Sequence, residues 1–124
     1  HSSMKTLKND PPECSLNLLA MRDTLEVLGG KWKLLILHYL ITRDDQINTF
    51  KKMQREITGI SAKMLTKELK DLEENHLVHR EQQNTKPITV RYSITDYGRS
   101  SGDLIQQLVE WGKAHRIKLL TSTE

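Results

Sequence analysis

The sequence predicts a mainly α-helical domain carrying one small β-hairpin, and three observations lead there. Apolar residues recur at spacings of three and four over most of the chain. Two alternating runs between residues 77 and 94 are joined by a polar stretch too long for a two-residue turn. Thr49, Ser61 and Thr95 each stand immediately before a helical run, where a side-chain oxygen can cap free backbone N–H groups.

Taken in order, residues 4–15 are polar, contain the pair Pro11-Pro12 and read as a mobile arm. His1-Ser2-Ser3 before them reads as an expression-tag remnant, residues 16–120 as the single domain, and 121–124 as a tail. Leu18, Met21, Leu25 and Leu28 define a first helix that Gly29-Gly30 stops. The run Lys31 to Ile41 is apolar on nearly every side after its first turn, so it belongs in the domain centre. Ile47 is expected in a very short strand. Thr49 caps a short helix, Phe50 to Glu56, with Phe50, Met53 and Ile57 on one side. After the turn Thr58-Gly59-Ile60, Ser61 caps a helix with Leu65, Leu69 and Leu72 as its inner stripe. Asn75 is its expected left-handed stop. Strands follow at 77–82 and 89–94, and Thr95 opens a last helix reaching about Leu120. Leu104, Leu108, Trp111, His115 and Leu119 make a nearly continuous stripe on it. Trp32, Tyr39 and Trp111 are assigned to core packing.

Composition narrows the function. The 124 residues leave room for one domain. Their apolar share of 36% falls below the ~45–50% of ordinary globular domains. A lean core suggests helices that complete their burial on a second chain. The net charge of +3 is too small to name a partner, so the placement of charge matters more. One cysteine excludes an intrachain disulfide and a Cys-rich zinc site. No apolar run approaches the ~18 residues of a membrane span and no signal peptide is visible, so a cytoplasmic, membrane-free protein is expected.

Charge is segregated. Between Thr49 and Lys70 there are six basic residues, Lys51, Lys52, Arg55, Lys63, Lys67 and Lys70, against the acids Glu56 and Glu68. Asp71, Glu73 and Glu74 then reverse the sign. A short helix, a Gly-containing turn and a helix basic at its start suggest helix-turn-helix, with the hairpin as a wing. Such a helix enters a major groove by its first turns while its acidic tail clears the phosphates. A solvated lysine face is the plainer alternative.

The segment Leu25-Glu26-Val27-Leu28-Gly29-Gly30-Lys31-Trp32-Lys33-Leu34-Leu35-Ile36-Leu37 resembles the signature of HxlR-type bacterial regulators, which are winged-helix proteins related to the MarR group. The likeness continues through Gly59-Ile60-Ser61 to Glu73. It resumes at Pro87, Val90, Tyr92-Ser93-Ile94-Thr95, Gly98-Arg99 and Glu110-Trp111-Gly112. It implies a homodimer that binds double-stranded DNA near a promoter. Asn75-His76, Arg91 and Lys52 stand where the family commonly has an acid-Gly pair, an acid and an acid.

On this reading Lys63, Thr66 and Lys67 reach base edges or nearby phosphates, and Ser61 offers a phosphate its N–H or hydroxyl, with a plain cap as its simpler role. Lys51, Lys52, Arg55 and Lys70 are expected at phosphates, and Lys86 and Arg91 on the wing. Leu18 and Met21, with Leu104, Leu108, Trp111, His115 and Leu119, are expected at a dimer interface. Two recognition helices would then sit ~34 Å apart on a pseudo-palindromic operator. Many relatives carry a sensing cysteine where Cys14 stands. Its place just before a helix, with Arg22 about two turns on, suits a stabilised thiolate, and an inert thiol is the alternative. Either an oxidant or a metabolite could be the effector. An enzyme is not expected. Gly30-Lys31 lacks the rest of a phosphate-binding loop, His76 and His79 lack the partners of a zinc site, and no nucleophile–base pair is visible. No cofactor is expected. A winged-helix module that docks an acidic protein is the alternative from another class.

Overall fold

The computed structural model describes residues 12–121. The expected tag remnant, most of the expected arm (4–11) and residues 122–124 of the expected tail lie outside that range. Helix α1 spans Pro12–Leu28, α2 Lys33–Thr42, α3 Phe50–Glu56 and α4 Ala62–Glu74. Strands β2 (Val78–Gln83) and β3 (Thr89–Ile94) form the hairpin, and β1 (Asn48–Thr49) pairs with the outer edge of β3. Helices α5 (Asp96–Arg99) and α6 (Gly102–Thr121) close the chain. The sheet is antiparallel, in the order β1-β3-β2.

The core forms where α2, α3, α4 and the sheet meet. Ile36, Leu37 and Leu40 of α2, Met53 of α3, and Leu65, Leu69 and Leu72 of α4 are fully buried. Val78, Tyr92 and Ile94 cover them from the sheet. The leucine stripe of α4 therefore lies inward as its spacing predicts. Thr49 Oγ1 accepts the Lys52 N–H at 3.2 Å, Ser61 Oγ the Met64 N–H at 3.1 Å and Thr95 Oγ1 the Gly98 N–H at 2.8 Å, so all three expected caps are made.

Four local expectations need correction. Helix α1 begins at Pro12, so Cys14 lies in its first turn rather than before it; proline at a helix start loses no intrahelical bond. The short strand is Asn48–Thr49, and Ile47 beside it is exposed. Trp32 and Tyr39 are buried, but Trp111 is 68% exposed. The last helix is two: α5 ends at Arg99, Ser101 Oγ donates to the Gly98 carbonyl at 2.7 Å, and α6 starts at Gly102. Gly98 permits this bend, because a Cβ there would overlap the Leu77 carbonyl and the Ile94 side chain.

The left-handed residue after α4 is His76 (φ 64°), while Asn75 has φ −92°. The His76 N–H reaches the Glu73 carbonyl at 3.0 Å and the Leu77 N–H the Leu72 carbonyl at 3.0 Å, closing the helix with a Schellman motif. A Cβ in this conformation costs about 1 kcal/mol or more. His76→Gly should raise stability by about 1 kcal/mol, seen as a higher urea midpoint at unchanged slope.

Candidate nucleic-acid interface

Helices α3 and α4 are joined by Ile57 to Ser61, with Gly59 at φ 88°. A positive φ at Gly59 costs nothing sterically and turns the chain sharply. Because the leucine stripe fixes the roll of α4, Lys63, Thr66, Lys67 and Lys70 all emerge on its exposed side. Lys51 and Arg55 are exposed on α3, and Lys86 at the hairpin tip. The Thr66 hydroxyl donates back to the Ala62 carbonyl at 2.8 Å, and the residue is exposed.

The acids of the same helix behave differently. Glu68 is buried and takes Lys33 Nζ at 2.5 Å, with side chains only 12% and 11% exposed. Lys33 also meets Asp71 at 3.3 Å, and Asp71 in turn meets Lys67 at 3.3 Å. Burial works against the Lys33 charge, but hydrogen bonds to Glu68 and Asp71 outweigh it and hold its pKa above the ordinary lysine value. Burial likewise pushes Asp71 up, and Lys33 with Lys67 overcomes it, leaving the carboxyl below its usual range. Lysine on α2 thus neutralises the inner edge of α4 and leaves the outer face basic. Sequence reading assigned Lys33 no role. The available signal was a lysine at the head of a helix otherwise bound for the core, where a charge drawn inward requires a partner.

Lys52 corrects an expectation. Its Nζ donates to Tyr39 Oη at 2.9 Å, Asn48 Oδ1 at 3.0 Å and Gln46 Oε1 at 3.1 Å, and lies 3.5 Å from Glu56. Tyr39 Oη donates to Glu56 at 2.6 Å, and the Arg43 guanidinium covers the Tyr39 ring. That hydrogen bond, with Lys52 and Arg43, holds the Glu56 carboxyl below its ordinary pKa. Lys52 is therefore an internal tie between α2, β1 and α3, not an outward cation.

On the wing, Arg91 Nε donates to Glu81 at 2.7 Å, across the pair Glu81↔Arg91. Strand alternation puts these two on the sheet face away from the core. The opposite face carries Val78, Arg80 and Gln82 against Ile94, Tyr92 and Val90. Arg80 thus projects on the side facing α4, a position the sequence reading left unassigned. Between wing and helices is a hollow of about 410 Å³, lined by Lys51, Thr66, Arg80, Ile88 and their neighbours.

The expected dimer residues gather on two helices. On α1, Leu18 and Met21 are exposed; on α6, so are Leu104, Leu108, Trp111, His115 and Leu119. The Trp111 and His115 rings stack at 4.9 Å. Of the whole of α6 only Ile105 is buried among its apolar residues. Cys14 is exposed. Among the described residues no group of His, Cys, Asp and Glu could hold a metal ion, and no helix is long and apolar enough to cross a membrane.

Known proteins share this arrangement. Residues 27–118 match the HxlR-like helix-turn-helix family. The HTH-type transcriptional regulator YybR of Bacillus subtilis is 38% identical over 93 residues, covering 75% of this chain and 72% of its own. The redox regulator HypR in its reduced form superposes with a TM-score of 0.73 at 35% identity, over 82% of this chain and 98% of that one. The reduced form of the transcriptional regulator YodB from B. subtilis gives 0.63 at 34% identity, over 74% and 87%. The mainly helical winged-helix fold and the matched residues place this chain in the HxlR-like family of helix-turn-helix transcriptional regulators.

Proposed function

We propose that the protein works in the cytoplasm as a homodimeric, sequence-specific reader of double-stranded DNA. The observation that carries this is the sorting of charge on α4: Lys63, Lys67 and Lys70 lie outward while Glu68 is buried on Lys33. Lys63, Thr66 and Lys67 meet base edges or adjacent phosphates, and Ser61, already capping α4, offers its backbone N–H. Lys51, Arg55 and Lys70 hold the flanking phosphates. Lys86 and Arg91 serve the wing, Arg91 after exchanging Glu81 for a phosphate.

The exposed apolar faces of α1 and α6 pair with those of a second copy, and Trp111 is the anchor they share. Large aromatic side chains at such exposure are the usual centre of an interface. Two-fold pairing sets the recognition helices about one DNA turn apart. The test is selection of duplexes from a random-sequence library by the purified dimer. Enriched sequences should contain two inverted half-sites spaced by ~10 base pairs. Enrichment of nothing, or binding of an acidic protein surface in preference to any duplex, would sink the proposal.

Cys14 is the proposed control point. It is exposed in the first turn of α1, where a helix N-terminus favours a thiolate. HypR, of similar fold, is a redox regulator. With one cysteine per chain, oxidation yields an intermolecular disulfide or a mixed thiol adduct. Diamide should release the selected duplex from the native dimer and leave the Cys14→Ser dimer bound. Equal release of both would point instead to a metabolite effector independent of the thiol.

A further inference from the structure

The hollow between wing and recognition helix has a chemistry of its own. Phe50, Ile88 and Val90 line it together with Lys51, Arg80 and Thr66. Among the described residues, no carboxylate and no amide side chain lines it. Lysine, arginine and threonine are among the groups that hold phosphate oxygens, and an apolar surface beside them suits the sugar. Thr66 lies on the outward face of α4, so a duplex on that face also covers the mouth. Ile88 is 62% exposed at the wing end, an unusual place for a bare β-branched side chain.

We infer that the hollow seats one sugar-phosphate unit of the DNA backbone, with Arg80 and Lys51 on the phosphate and Ile88 against the deoxyribose. This rests on the DNA-reading function proposed above. It gives the strand β2 a direct role, since Arg80 reaches the hollow only because the sheet continues past the core on its Val78 face. Phosphate and sugar contacts fix register without carrying sequence, so Arg80 and Ile88 set how the wing and α4 share one backbone.

The two residues predict different signatures on a duplex selected by the native protein. Arg80→Ala removes a counterion-releasing contact, so the slope of log K against log salt flattens by about one per protomer. Arg80→Lys keeps the native slope. Ile88→Ala weakens binding several-fold at every salt concentration and leaves the slope unchanged. Ile88→Glu abolishes binding at 150 mM salt, by placing an acid against a phosphate. Both positions changed are exposed in the free chain, and circular dichroism melts of all four variants should match the native protein.

Methylphosphonate substitution, one phosphate at a time, supplies the readout that a purely structural role would not move. One position per half-site should weaken the native protein at least tenfold and the Arg80→Ala protein several-fold less, since Lys51 alone then meets that phosphate. A native slope for Arg80→Ala, or the same methylphosphonate profile in both proteins, would overturn the inference while the DNA-reading function stands. Failure of the native protein to bind any duplex would overturn both.

Discussion

Raising salt from 50 to 200 mM should weaken binding of a selected duplex ~10³–10⁵-fold, and Lys63→Ala/Lys67→Ala should remove about half of the log–log slope. The magnitude follows from counterion release by the ~6–10 phosphates that two basic helix-turn-helix units neutralise. Lys63 and Lys67 stand one helical turn apart on the outward face of α4. Their loss removes four cations from a dimer. At ~1 kcal/mol each, affinity at fixed salt falls roughly a thousandfold. Neither side chain supports the core, so sedimentation should still give a dimer and thermal melts should be unchanged. Gel shifts or fluorescence anisotropy across a salt series read both quantities. A flat salt response of the native protein would refute the assignment, as would a native slope in the double variant.

The second large effect belongs to Lys33 and Glu68. Their side chains are almost wholly withdrawn from water, so removing either leaves the other with only a longer contact, Asp71 at 3.3 Å for Lys33 or Lys67 at 4.0 Å for Glu68. Lys33→Met should destabilise the fold by about 3–5 kcal/mol, and Glu68→Leu by a similar amount. The combined Lys33→Met/Glu68→Leu protein should recover most of the loss, because a well-packed apolar pair often matches a buried ion pair. Urea titration checks all three, and additive losses in the double variant would argue against a dedicated pair. The pH dependence has a definite sign. Lys33 is raised when folded, so its contribution is complete below about pH 10.5 and is lost only as pH climbs through the folded value. Asp71 is lowered, so its contribution is complete above about pH 3.8 and fades as pH falls through the folded value. Stability from this cluster is therefore level across neutral pH and falls off at both extremes.

Much of the architecture was legible because it is written locally. The Leu65, Leu69 and Leu72 stripe set which side of α4 faces water, and Thr49 and Ser61 marked where α3 and α4 begin. The second strand of the hairpin, 89–94, was read to the residue. What escaped depends on chain segments distant in sequence. Lys52 looks like one more cation in a basic stretch, and only the approach of Tyr39 and Asn48 turns it inward. Arg80 sits in a polar-looking strand, and its face is decided by register with Tyr92. The bend at Ser100-Ser101 interrupts a periodicity that reads as continuous, because a tight fit at Gly98 against Leu77 determines it. Proline at position 12 resembles a breaker when neighbouring prolines are read with it, yet it begins α1. Segregated charge and helix order carried the candidate site. Which cations remain free on that surface is a question of partners.

Helix α6 is held to the domain near its start, by Ile105 and half-buried Val109, and runs on to Thr121. From Val109 onward it is a cantilever of about 18 Å at 1.5 Å per residue. A tilt of about 10° at the anchored end swings the tip by roughly 3 Å, close to the rise of one base pair. In the proposed dimer, a small angular error in each of two such beams would become a whole step of mismatch between half-sites. On the proposed function, the stiffness of the anchored stretch at Ile105 and Val109 would set how much variation in operator spacing the protein tolerates.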